Sequence, residues 1–173
     1  FQGDCNQEIP KYFKVHPLRK KYPVFCLLDQ HTRQCKWSLV EYLSTVKTKG
    51  SKVEILYFLA QGWLDRSWHL ESKQQEIRDW WGGDDWESFR RMKSVERADC
   101  MENRFINELG YKYAQAFPIL KDGHKGREMF WLVHASDDHR ANPLMARAYE
   151  EIGMKLPERS YEQLEAGGIF EDC

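Results

Sequence analysis

From Val24 to Leu28 the chain reads VFCLL, and from Val53 to Ala60 it reads VEILYFLA, with Glu54 the one polar interruption. Short continuous apolar runs of this kind predict strands buried on both faces. Between them, Leu39, Val40, Leu43 and Val46 share one face of a predicted helix over Trp37–Lys47. Ser38 and Glu41 have capping-box spacing at its start, and Gly50 stops it. Strand, helix and strand in such close succession predict a βαβ unit with parallel strands.

Beyond Ala60 the periodicity turns helical. Asp84 and Glu87 repeat the capping-box spacing, and Trp86, Phe89 and Met92 fall on one face. A helix over about 95–109 carries the stripe Ala98, Met101, Phe105 and Leu109 and is closed by Gly110. The runs YAQAFPIL (113–120) and REMFWLVHA (127–135) flank Asp122-Gly123, which predicts an antiparallel hairpin. A last helix is expected to start at Asn142-Pro143, with Asn as its cap, and to end at Gly153. The expected domain spans 1–155, with a helical insert at about 65–110 and a polar tail at 156–173.

Sheets of parallel strands bind ligands beyond the carboxyl ends of the strands. Asp29 lies at such an end and opens the polar loop Gln30-His31-Thr32. A carboxylate there is able to accept a proton or orient an amine or hydroxyl, with His31 beside it; equally, Asp29 caps the turn into the next helix. Gln61–Arg66 after the second run and Ser136–His139 after the last are expected at the same edge. Trp63 and Trp68 are able to stack on a flat ring while Arg66 holds an anion, although a surface helix with core Trp and an Asp65–Arg66 pair explains the stretch more simply. DWWGGDDW (79–86) lacks both the preceding strand and the Lys-Ser/Thr of a phosphate loop, and reads as a turn between helices whose Trp residues pack the core. His134, Asp137, Asp138 and His139 fit no standard metal-site spacing and read as a helix entry, so no metal ligand is assigned.

Composition narrows the function classes. The 173 residues suit one domain, and 26 basic against 27 acidic side chains exclude a protein that coats nucleic acid by net charge alone. A local basic groove stays open, with Arg90, Arg91, Lys93 and Arg97 as the candidate stretch, although a solvated helix face explains it more cheaply. Five dispersed cysteines without a C-x-x-C pair predict free thiols in a reducing cytoplasm, and no run of about eighteen apolar residues predicts a membrane span.

In order, GDCNQEIP, FCLLDQHT with a following Trp, VEILYFLAQGWLDR, WWGGDDW, ELGYKYA and MFWLVHASDDHRANPLMARAYEEIG resemble the second half of the three-Cys-motif partner protein family. That family is similar to class I S-adenosylmethionine-dependent methyltransferases. The resemblance implies a Rossmann-like α/β three-layer sandwich of methyltransferase type, with a mostly parallel sheet, an antiparallel terminal hairpin and a helical insert. It implies S-adenosylmethionine as cofactor, with Gly3 and Asp4 at its adenine amino group and Cys5 under the ring. It places Asp29 and His31 as catalytic residues and Gln30 and Arg66 toward the substrate. Asp29-Gln30-His31-Thr32 departs from the family's D-P-F-G, which puts amine methylation in doubt. The family's Gly-rich D-L-F-A-G-P-G loop does not occur, which implies an N-terminal portion preceding Phe1. The expected function is a methyltransferase-like protein working with a three-Cys-motif protein. The alternatives are a non-catalytic partner module and, more weakly, a nucleic-acid-modifying enzyme.

Overall fold

The computed structural model describes residues 2–30, 33–121, 126 and 128–152. Their order is α1 (Cys5–Val15), β1 (Phe25–Leu28), α2 (Trp37–Thr45), β2 (Glu54–Leu59), α3 (Gln61–Ser67), a 3-10 turn (Glu71–Lys73), α4 (Gln74–Trp81), α5 (Trp86–Arg91), α6 (Ser94–Asn107), β3 (Tyr113–Leu120), β4 (Glu128–Ser136) and α7 (Ala141–Glu151). The architecture is mixed α/β around an open four-stranded sheet of order β1-β2-β4-β3. No helix among the described residues is long and apolar enough to cross a membrane.

β1 and β2 pair in parallel, as the βαβ pattern predicts. β4 then inserts between β2 and β3 and runs antiparallel to both. Of the three pairings two are therefore antiparallel, so the described sheet is mostly antiparallel, not mostly parallel. The physical cause is the hairpin: β3 and β4 are consecutive, and a short connection reverses direction. The Asp122-Gly123 turn itself lies outside the described residues.

Alternation along β2 turns Ile55, Tyr57 and Leu59 onto one fully buried face. The stripe predicted for α6 covers it, with Ala98, Met101, Phe105 and Leu109 all in the core. Phe105 meets both Trp37 and Tyr57 edge-on at 5.8 Å. The opposite face is covered over β3 and β4 by α7, where Ala146 and Tyr149 pack on Phe117. β1 differs from expectation. It is an edge strand, and Phe25 and Leu27 are 54% and 56% exposed where burial on both faces was predicted.

Helix starts also differ. α2 begins on Lys36 and α5 on Asp85 without side-chain caps, so neither predicted capping box forms. α7 begins at Ala141, and Asn142 turns its side chain to His134 at 3.2 Å. The predicted stop at Gly153 lies outside the described residues.

In DWWGGDDW, α4 ends on Gly82 at φ +87°, a left-handed residue that lets Trp37 pack against bare backbone. A Cβ at Gly82 would stand 2.6 Å from Trp37 Cδ1, whereas at Gly62 it would meet nothing within 4 Å. Gly82→Ala is expected to cost about 2–4 kcal/mol, from backbone strain and overpacking together. Gly62→Ala, inside α3, is expected to be neutral or stabilising by up to ~1 kcal/mol. Urea unfolding of both variants checks the contrast.

Candidate functional site

Parallel pairing puts the carboxyl ends of β1 and β2 at one edge of the sheet. Asp29 sits there, exposed. His31, the other predicted catalytic residue, lies outside the described residues, as does Thr32. Gln30, expected to face substrate, is instead 2% exposed. Its Nε2 donates to the Phe58 carbonyl at 3.0 Å, and its Oε1 accepts from the Cys35 amide at 3.3 Å. Both ends of its amide are engaged, so Gln30 staples the loop after β1 to β2 and shapes the edge from within.

The loop's second half is held by charge. Arg33 donates to Glu76 at 3.0 Å, and Lys36 pairs with Asp79 at 2.8 Å, so α4 forms the far wall. Lys73 first and Arg33 second hold the Glu76 carboxyl below its usual range; Lys36 and then Gln75 do the same for Asp79. On the near wall Asn6 bridges to the loop: its Nδ2 donates to the Gln34 carbonyl at 2.7 Å, and its Oδ1 accepts from the Lys36 amide at 2.9 Å.

Asp4 is thereby brought close to the loop that follows Asp29. It caps α1, its Oδ1 accepting from the Asn6 amide at 3.0 Å and from Asn6 Nδ2 at 2.7 Å. Asp4, Asn6, Arg33, Gln34, Lys36 and Glu76 line, with Asp79, a cavity of about 280 Å³. Gly3 precedes this rim, exposed. Cys5 was expected beneath a bound ring. Its half-buried side chain packs against the core, and its thiol adjoins that of Cys35. Burial, and then the neighbouring Cys5, push the Cys35 thiol well above its ordinary value.

A second cavity of about 490 Å³ opens past the end of β2. Trp63 is 47% exposed there, with the Arg66 guanidinium carbon 4.5 Å above its ring. The predicted Asp65–Arg66 pair does not form; Asp65 instead takes Arg97 at 2.8 Å and the Trp68 indole at 3.1 Å. Ser94 Oγ donates to Glu128 and accepts from the Trp131 indole at 3.0 Å. Ser94 and Glu128 escaped sequence reasoning, because their arrival at this edge depends on β4 lying reversed against β2.

That reversal also relocates Ser136–His139. Ala135 is level with Ile55 near the start of β2, so the segment lies at the opposite end of the sheet from Asp29. Asp137 there accepts from the Lys52 and Lys112 amides at 3.2 and 3.3 Å. His134 is buried between Glu54 (2.7 Å) and Asn142 (3.2 Å). Among the described residues no group of three or more His, Cys, Asp or Glu side chains is placed to hold a metal ion. The insert's basic stretch is largely committed: Arg97 is buried on Asp65, Arg91 lies 3.8 Å from Glu87, and Arg90 meets His69.

No family model, curated protein or solved structure matches this chain. The geometry therefore stands by itself: an exposed carboxylate on the tip of β1, a charged cavity lined by the loop that follows it, and an aromatic cavity past the end of β2. Such an edge is able to bind and orient.

Gln30→Ala is expected to destabilise by about 2–3 kcal/mol, since it strips partners from a carbonyl and an amide at once; chemical denaturation measures it. A pH effect follows from Cys35. Its proton is retained in the folded state while the unfolded thiol ionises near pH 9. Stability contributed by Cys35 is thus complete below about pH 9 and falls above it, by about 1 kcal/mol between pH 8 and 10. Denaturation of Cys35→Ala at the two pH values is expected to lack that component.

Proposed function

We propose that this domain is a methyltransferase-type unit that binds S-adenosylmethionine at the β1 edge and presents an acceptor past β2. The observation that carries the reading is the strand arrangement: parallel β1 and β2, then the reversed β4 inserted before β3, with Asp4 and Asp29 at one edge. It accords with the reversed last strand of methyltransferase-like sheets, and with a Rossmann-like three-layer sandwich as the finer description of the fold.

The residues fit the cofactor in part. Asp4 uses Oδ1 for its cap, and its second oxygen is proposed to accept from an adenine amino group. The cavity of about 280 Å³ lies at the lower bound for ligand pockets, so it suits the adenosine end and no more. When bound, S-adenosylmethionine supplies an electrophilic methyl group. The chain's own part is positioning. Asp29 orients the acceptor through its N–H or O–H, His31 is the second candidate by its place in the sequence, and Arg66 over Trp63 holds the acceptor's flat or anionic portion. Gly3 gives the backbone room at the rim. Gln30 and Cys5 act through the loop and the core instead of touching ligand.

A second reading is a non-catalytic module for a three-Cys-motif protein. Among the described residues β1 has one strand neighbour, and Phe25 and Leu27 are exposed on one of its faces; both features favour it, because an unpaired edge beside an apolar face invites further strands. The structural use of Gln30 in the altered loop also favours it. The four cysteines among the described residues, Cys5, Cys26, Cys35 and Cys100, are free thiols, which suits the reducing cytoplasm proposed for either role.

Calorimetric titration with S-adenosylmethionine separates the two. Asp4→Asn keeps a helix-capping side chain and removes the charge. It is expected to weaken binding about ten-fold, roughly 1.4 kcal/mol. No binding by the unaltered protein contradicts the cofactor reading; co-elution with a three-Cys-motif protein would then favour the module.

A further inference from the structure

The strongest unexplained feature is charge segregation at the end of the sheet opposite Asp29. Residues 11–22 and 45–52 hold eight Lys and Arg side chains and no carboxylate, in a chain of formal net charge −1. The rest of the molecule therefore carries −9. Folding brings the two spans together: Lys47 Nζ donates to the Tyr22 carbonyl at 2.9 Å, and a Cβ on Gly50 would lie 2.9 Å from the Lys20 carbonyl oxygen. Lys47 is consumed in that contact, Lys52 donates to the Leu109 carbonyl, and Lys11 pairs with Glu8. Lys14, Arg19, Lys20, Lys21 and Lys49 are exposed and make no ion pair among the described residues. Clustered cations repel one another, so the fold gains nothing from this arrangement.

Aromatic rings are set among them. Tyr22 is 60% exposed beside Lys20 and Lys21. Tyr12 and His16 lie with ring centres 4.6 Å apart, tilted by 39°, at the C-terminal end of α1. Cations that track a backbone, interleaved with exposed rings, are what single-stranded nucleic acid requires: phosphates meet the charges and unpaired bases stack. An anionic membrane fits less well. It is met by one amphipathic helix with its lysines along the polar face, whereas four of the five cations here lie in loops.

We propose that the corner formed by residues 14–22 and 47–50 is a binding surface for single-stranded nucleic acid, separate from the β1–β2 edge. Phosphates are held by Lys14, Arg19, Lys20, Lys21 and Lys49, and bases stack on Tyr22. The surface is independent of the methyltransferase reading, and its test involves no cofactor.

The test is fluorescence anisotropy with a labelled oligothymidylate of about 20 nucleotides, titrated at several salt concentrations. Five phosphate contacts predict a log–log salt slope of about −3 to −4. Arg19→Glu/Lys20→Glu/Lys21→Glu is expected to weaken binding at least ten-fold and to flatten the slope by about 2. Tyr22→Ala is expected to weaken binding about five-fold or more and to leave the slope unchanged. The milder Arg19→Gln/Lys20→Gln/Lys21→Gln gives an intermediate loss, which guards against a folding defect in the charge reversal. Three results each overturn the proposal: no binding at about 50 mM salt, equal binding by the triple variants, or tighter binding to phosphatidylserine vesicles or duplex DNA than to the single strand.

Discussion

The guanidinium of Arg104 lies between two tryptophan rings, its central carbon 3.7 Å from the centre of Trp37 and 4.0 Å from that of Trp81. Three helices meet in that sandwich: α2 supplies Trp37, α4 supplies Trp81 and α6 supplies the arginine. A buried cation is costly unless its surroundings answer the charge. Here two π faces do so from both sides, and Glu108 pairs with the outer nitrogen at 2.8 Å. Gly82 permits the close approach, because nothing larger fits against Trp37.

The candidate site inherits its shape from this contact. Once Trp81 is seated, α4 has a fixed path across the edge of the sheet, and Glu76 and Asp79 reach Arg33 and Lys36 in the loop after β1. Asn6 fastens that loop to α1 from the other side, and Gln30 fastens it to β2 from below. The loop that follows Asp29 is thus held by side chains of α1 and α4 and by a main-chain carbonyl of β2. The Lys36–Asp79 pair, open to solvent on both sides, contributes little stability by itself. Its effect is to set where a loop runs, and the buried aromatic layer provides the stability.

Where one element decides its own structure, the sequence was legible. The parallel βαβ unit, the α6 stripe and the helix-to-helix turn at Gly82-Gly83 follow from local periodicity and backbone chemistry, and all are present. Errors arose where position depends on a distant partner. The reversed β4 moved Ser136–His139 to the far end and brought Glu128 to the near one. The apolar run at β1 was indistinguishable from a central strand, since exposure of Phe25 and Leu27 depends on what covers their face of the sheet. Gln30 looked like a ligand-facing amide because a buried bracket and a binding group share the same chemistry. Arg97, which local pattern puts on a solvated helix face, is buried because Asp65 from a separate helix pairs with it.

The central claim is that the pieces gathered around Asp29 form a cofactor-binding edge. Hydrogen exchange with and without S-adenosylhomocysteine tests it most directly, because protection reports each backbone segment separately. The account predicts slowed exchange in peptides spanning residues 3–6 and 29–36, with no change around residues 134–140 at the other end of the sheet. Absence of protection at both near-edge segments, or protection confined to the far end, would contradict it.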